Sequence, residues 1–172
     1  MSRIVEQALD LWGLSGADHH LVAARENEVY RISTPDRTVA LRLHRKGYRS
    51  DQELRSELAW MAAVSDGGIG VPAPIPSATG EMLHVVEGVQ VDVLSWLNGV
   101  SVQKALDARD AVGRADLFGE IGRQIAALHQ IIDGWTSPEG FARCTWDREG
   151  LLGEAPLWGR FWDNPLLMAE DR

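Results

Sequence analysis

In Val39-Ala40-Leu41-Arg42 the two-residue alternation of a strand turns Ala40 and Arg42 to the same side. A small side chain there leaves room for a flat base, and a cation two residues on reaches phosphates. On the helix expected next, Leu54, Glu57, Leu58 and Met61 stand at i, i+3, i+4 and i+7, which sets Glu57 within or beside the apolar stripe. A carboxylate turned toward a core is costly unless it is paired. Arg42, on the open face of the preceding strand, is the natural partner. A third stretch, Val93-Leu94-Ser95-Trp96-Leu97-Asn98-Gly99-Val100, runs extended and stops at Asn-Gly. The backbone C=O and N–H groups of such a corner can hydrogen-bond the edge of a base. Each feature has a plainer alternative: a solvent-facing arginine, a glutamate bordering its stripe, an ordinary strand end.

The elements that must carry these residues follow from periodicity and punctuation. Residues 2–12 place Ile4, Val5, Ala8, Leu11 and Trp12 on one helical face, closed by Gly13 and Gly16. Leu21–Ala24, Val29–Ile32 and Thr38–Leu43 read as three short strands, with Ser33-Thr34-Pro35-Asp36 as a turn. A helix spans 51–64. Val71-Pro72-Ala73-Pro74-Ile75-Pro76 must be extended, because each proline bars the helix from the residue before it. Residues 82–87 and 90–97 form a hairpin about Glu87-Gly88. Ser101 caps a short helix to Leu106. A long helix over 114–132 is expected to bury Leu117, Ile121, Ile125, Leu128 and Ile132. Beyond Asp133 the chain is irregular and aromatic, until Asn164-Pro165 starts a helix running to Arg172. That helix has barely two turns and no closing cap, so the expectation is a chain cut within an element.

A formal net charge of −8 argues against nucleic acid or an anionic membrane as partner, since both require basic patches. The lone Cys144 supports neither a disulfide framework nor a cysteine zinc cluster and suits a cytoplasmic setting. Gly68-Ile69-Gly70-Val71-Pro72-Ala73 has the letters of a dinucleotide fingerprint but follows a helix, and its prolines forbid the one that must come next. The histidines show no metal-ligand spacing, and no metal site is expected in this chain.

Taken in order, Glu26-Asn27-x-Val29-Tyr30-Arg31, Leu41-Arg42-Leu43-His44-Arg45, Ser56-Glu57-Leu58-x-Trp60, Val71-Pro72-x-Pro74, Leu94-Ser95-Trp96-Leu97-x-Gly99 and Ile125-Ala126-Ala127-Leu128-His129 resemble the aminoglycoside phosphotransferase family. That group includes choline and homoserine kinase relatives. The resemblance implies an α+β fold: a protein-kinase-like N-lobe over 1–97, with a five-stranded antiparallel sheet and a helix, then a hinge and a partial helical C-lobe over 98–172. It implies ATP-dependent transfer of the γ-phosphate to the hydroxyl of an unidentified small-molecule acceptor. By matching position, Arg42 stands where a phosphate-contacting lysine is usual, paired with Glu57. Leu94 lies behind the base, while the Ser95 carbonyl and the Leu97 amide read adenine; Ala40 leaves room for the base. Glu26 and Asn27 sit in the loop over the phosphates, which here lacks the Gly-x-Gly-x-x-Gly pattern. The family's catalytic His-Gly-Asp has no counterpart, since no His-Gly pair occurs. No catalytic residue is therefore assigned, Mg2+ is expected only in a complete enzyme, and the chain is expected to be inactive alone. Self-association through the aromatic C-terminal third is expected as well. A non-catalytic nucleotide-binding or protein-interaction module is the alternative.

Overall fold

A computed structural model describes residues 2–168. The order of elements is α1 (Ser2–Leu11), β1 (Asp18–Ala24), β2 (Asn27–Ser33), β3 (Thr38–His44), α2 (Asp51–Asp66), β4 (His84–Val86), β5 (Val89–Ser95), α3 (Val102–Asp107), α4 (Ala111–Gly134) and α5 (Arg148–Leu152), with a 3-10 turn at Phe161–Asp163. The strands form one antiparallel sheet in the order β1-β2-β3-β5-β4. Contacts divide the chain into two compact units, residues 1–141 and 142–172. The 97/98 boundary expected from the sequence lies inside the first.

Alternation sorts the sheet into two unlike faces. Ile32, Val39, Leu41, Leu43, Val91 and Val93 point to one side and bury Val5, Ala8 and Leu9 of α1 together with Trp12 just after it. Leu9 lies at the centre of that layer, fully buried, although the helical stripe of the sequence had not included it. The Trp12 indole N–H is satisfied by the Ile75 carbonyl at 2.7 Å, which ties α1 to the proline-spaced segment. On the other face Ala40 and Leu94 meet Leu54, Leu58 and Met61 of α2. This helix starts with a capping box: Ser50 Oγ accepts the Glu53 amide while the Glu53 carboxylate accepts the Ser50 amide. It ends at Gly67, where an added Cβ would fall within 2.4 Å of Ile131 of α4.

The extended segment 71–76 flanks β5 beyond the short β4: the Ile75 amide donates to Val93 O and the Ser95 amide to Ala73 O, each at 2.8 Å. The β4–β5 hairpin turns through Glu87 and Gly88, both at positive φ (50° and 75°). That geometry belongs to the tight turn whose twist suits a two-residue hairpin.

Two expectations need correction. The apolar face of α4 is not buried: Leu117, Ile121, Leu128 and Ile132 are half-buried and Ile125 is 50% exposed. Helical amphipathicity marks which side prefers burial, and α4 meets α2, with Ile131 passing close to Gly67 at the end of that helix. The helix expected from Pro165 does not form over 165–168, which are turn and bend; 169–172 lie outside the described residues. Asn164 does supply its side chain, accepting the Leu166 amide at 3.0 Å, so the cap signal produces a local turn. In the second unit, α5 is capped by Asp147, and Trp146 packs edge-on against Trp158 with centroids 5.8 Å apart.

Candidate functional site

The polar side chains of the α2-facing surface converge because of strand register. Across β3 and β5, Ala40 lies opposite Leu94 and Arg42 opposite Asp92. Arg42 and Asp92 therefore meet directly in the sheet. The Arg42 Nε–H and Nη2–H donate to the two oxygens of Asp92, both at 2.8 Å, and Nη1 donates to Glu57 of α2 at 2.9 Å. His44, two residues along β3, donates from Nε2 to Asp92 at 2.8 Å. The Asp92 side chain is wholly excluded from solvent, and those of His44, Arg42 and Glu57 are 4%, 13% and 24% exposed.

Burial presses the Asp92 carboxyl toward its neutral form. The hydrogen bonds and charges of His44 and Arg42 outweigh that and hold it below its ordinary range. Burial likewise opposes the charge on Arg42, but Asp92 first and Glu57 second more than restore it, so the guanidinium is held charged. A guanidinium has five N–H donors. Asp92 takes two and Glu57 one, which leaves two without a partner among the described residues.

Beside this cluster opens a pocket of about 370 Å³, and of the expected site residues it brings together Ala40, Arg42, Leu94, Ser95 and Leu97. Val29 and Met61 add apolar wall and Trp96 closes the end. Ser95 is fixed by Ala73 on two bonds, its amide donating to Ala73 O and its Oγ accepting the Ala73 amide at 2.8 Å. Leu97 has left the sheet and is 47% exposed. The Arg31 guanidinium lies 5.2 Å from the centre of the Trp96 ring.

Glu57 reaches the cluster through Arg42 without lining the pocket. Glu26 and Asn27 are not gathered there either; they line a separate depression of about 280 Å³ at the end of the sheet, with Arg25, Arg45 and Lys46. The sequence reading missed Asp92 and His44. Both had a signal: alternation puts Asp92 on the side of Leu94, and His44 on the side of Arg42.

A small Ala40, an apolar wall and a charged fork with two unused donors fit a purine nucleotide with phosphates at the Arg42 end. Among the described residues no group of three or more His, Cys, Asp or Glu side chains gathers as a metal site. Nor, among them, is any helix long and apolar enough to cross a membrane.

A twisted five-stranded antiparallel sheet, a helix after its third strand and a cation–carboxylate pair joining the two define a kinase-like N-lobe. Residues 20–164 match the phosphotransferase enzyme (APH) family, and the chain belongs to it. It is 26% identical over 152 residues to the amicoumacin kinase of Bacillus subtilis (strain 168), covering 87% of this chain and 45% of that protein. It is 28% identical over 133 residues to the homoserine kinase of Sinorhizobium fredii, covering 77% of this chain and 36% of that protein. Among solved structures, the microcompartment-associated aminopropanol kinase superposes with a TM-score of 0.76 at 31% identity, over 95% of this chain and 50% of that one. The amicoumacin kinase solved with AMP-PNP and Ca2+ shares the fold, with a TM-score of 0.72 at 19% identity, over 84% of this chain and 44% of that one. The chain thus spans half or less of the length of these relatives.

Proposed function

We propose that this chain is the nucleotide-holding part of an ATP-dependent phosphotransferase that acts on a hydroxyl of a small molecule. Residues 1–97 serve as the N-lobe and 98–172 as the hinge and the beginning of the helical lobe. The observation that carries the reading is the pocket in which Ala40, Arg42, Leu94, Ser95 and Leu97 meet. Adenine lies over Ala40 with Leu94 behind it, its edge toward the Ser95 carbonyl and the Leu97 amide. Its phosphates run toward Arg42, whose position Glu57 and Asp92 hold. Glu26 and Asn27 flank the far end of the phosphates. The named relatives are kinases of small molecules, which supports the reaction class. The lone cysteine favours a cytoplasmic setting. The exposed Trp146, Trp158 and Phe161 favour self-association through the second unit.

Calorimetric titration with adenosine, ADP and ATP, with and without magnesium, tests the site. Adenosine should bind measurably and added magnesium should change ATP binding little. No binding of any of the three would overturn the reading.

The alternative reading is a non-catalytic nucleotide-binding or protein-interaction module. In either case the purified 172-residue chain should transfer no phosphate from ATP to homoserine, choline or an aminoglycoside. Steady turnover would show that the chain holds a catalytic base outside the family's usual loop.

A further inference from the structure

Arg42 differs from a lysine at the same place in one physical respect: its charge is spread over a planar fork whose usefulness depends on which way the plane faces. A lysine ammonium aims itself, whereas a guanidinium must be held. Glu57 accepts one bond from Nη1 and is itself part-exposed, and a single bond of that kind does not by itself fix the direction of the plane. Asp92 removes this freedom by taking Nε–H and Nη2–H side-on with both oxygens. Asp92 is in turn fixed by its own strand, opposite Arg42 in register, and by the Nε2–H of the buried His44. No atom of His44 or Asp92 need touch a ligand for this to matter: Asp92 lines neither of the two pockets, and His44 lines only the second, with Glu26 and Asn27.

We propose that Asp92 and His44 are positioning residues that lock the Arg42 guanidinium as an oriented phosphate fork, so that the two remaining N–H groups face the phosphates of the nucleotide. This rests on the nucleotide reading above. It follows that lysine is not a conservative replacement for Arg42 in this chain. A lysine would replace the two-point grip on Asp92 with a single ammonium and present a single point charge to the ligand.

The test compares ADP with adenosine, since only ADP reaches Arg42. The full 172-residue chain and its Asp92→Asn, His44→Leu, His44→Gln and Arg42→Lys variants are titrated with both ligands at fixed pH and salt. ADP should bind the wild-type chain about tenfold more tightly than adenosine, the worth of one charge-assisted contact. Asp92→Asn and His44→Leu should erase most of that ratio while leaving adenosine binding unchanged, and Arg42→Lys should erase most of the ratio as well. His44→Gln keeps an N–H donor and should restore most of the ratio lost in His44→Leu. If Asp92→Asn does not fold, the two His44 variants decide. Equal weakening of both ligands in the variants, or no change in either, would overturn the positioning role. A wild-type chain that binds adenosine but gains nothing with ADP would overturn it while leaving the pocket reading intact. A wild-type chain that binds neither ligand removes both.

Discussion

The two faces of this sheet are made by the same strands and do opposite things with burial. On the α1 side the buried layer is hydrocarbon, save for the Trp12 ring edge: Val5, Leu9, Ile32, Leu41, Val91 and Val93 pack with almost no exposure. On the α2 side the same strands bury a carboxylate, an imidazole and most of a guanidinium, and leave a cavity beside them. The first face gains stability from every carbon removed from water. The second is held together only while its charges remain matched, because an unmatched buried charge costs more than the pair contributes. One face is tuned for cohesion and the other for orientation, which is the division of labour expected where a rigid support must present a charged group in a fixed direction.

The largest expected effect falls on the charged face. Asp92→Ala leaves Arg42 and His44 without their shared anion and should cost about 3–5 kcal/mol in urea unfolding. A loss below about 1 kcal/mol would mean that water reaches the cluster and that the two faces are less different than described.

On the apolar face Leu9→Ala should cost about 2–4 kcal/mol by leaving a cavity under α1. The pH dependence separates the two substitutions. Asp92 is held below its ordinary value of 3.8, so it contributes stability above that pH and loses it as pH falls through the lower folded value. Leu9→Ala should therefore lower stability equally from neutrality down through this window. Asp92→Asn should flatten the acid limb below about pH 3.8. If Leu9→Ala altered the acid limb as much, the faces would not be independent.

The smallest effect is the coupling between Arg42 and Glu57. Each single alanine substitution should cost about 1–3 kcal/mol, and the double variant should cost less than their sum by at least about 0.5 kcal/mol. Additive losses would show that Glu57 is held by its other surroundings, leaving Asp92 alone to fix the arginine.

The Arg42–Glu57 pair was legible because both halves broke a local pattern: a cation on an alternating strand and a carboxylate inside a helical stripe. Ala40 was legible from the alternation of its strand, whereas Leu94, Ser95 and Leu97 were singled out by the family resemblance at the end of an extended stretch. Asp92 and His44 were within reach of alternation, yet their meeting depends on β5 lying next to β3, with β4 outside it. That order is a tertiary fact that no spacing within a strand records. The long helix shows the opposite limit. Its apolar side is written in the sequence at Leu117, Ile121, Ile125, Leu128 and Ile132, but periodicity reports a preference and not the presence of a covering partner. At Asn164-Pro165 the cap signal was real and the helix was not, because a cap fixes the first turn and does not propagate it.

The first strand has a consequence of another kind. β1 is the outer strand of the sheet, seven residues long, nearly all exposed, and its sequence Asp-His-His-Leu-Val-Ala-Ala carries neither lysine nor proline. Such an edge is a template on which a second chain can add a strand. One irregularity stands against that: Leu21 pairs with Tyr30 and Ala23 with Val29, so Val22 is an extra residue that bends the strand. Without Val22 the ladder would run in unbroken register along this edge. The surplus valine interrupts the ladder along which another copy could add a strand.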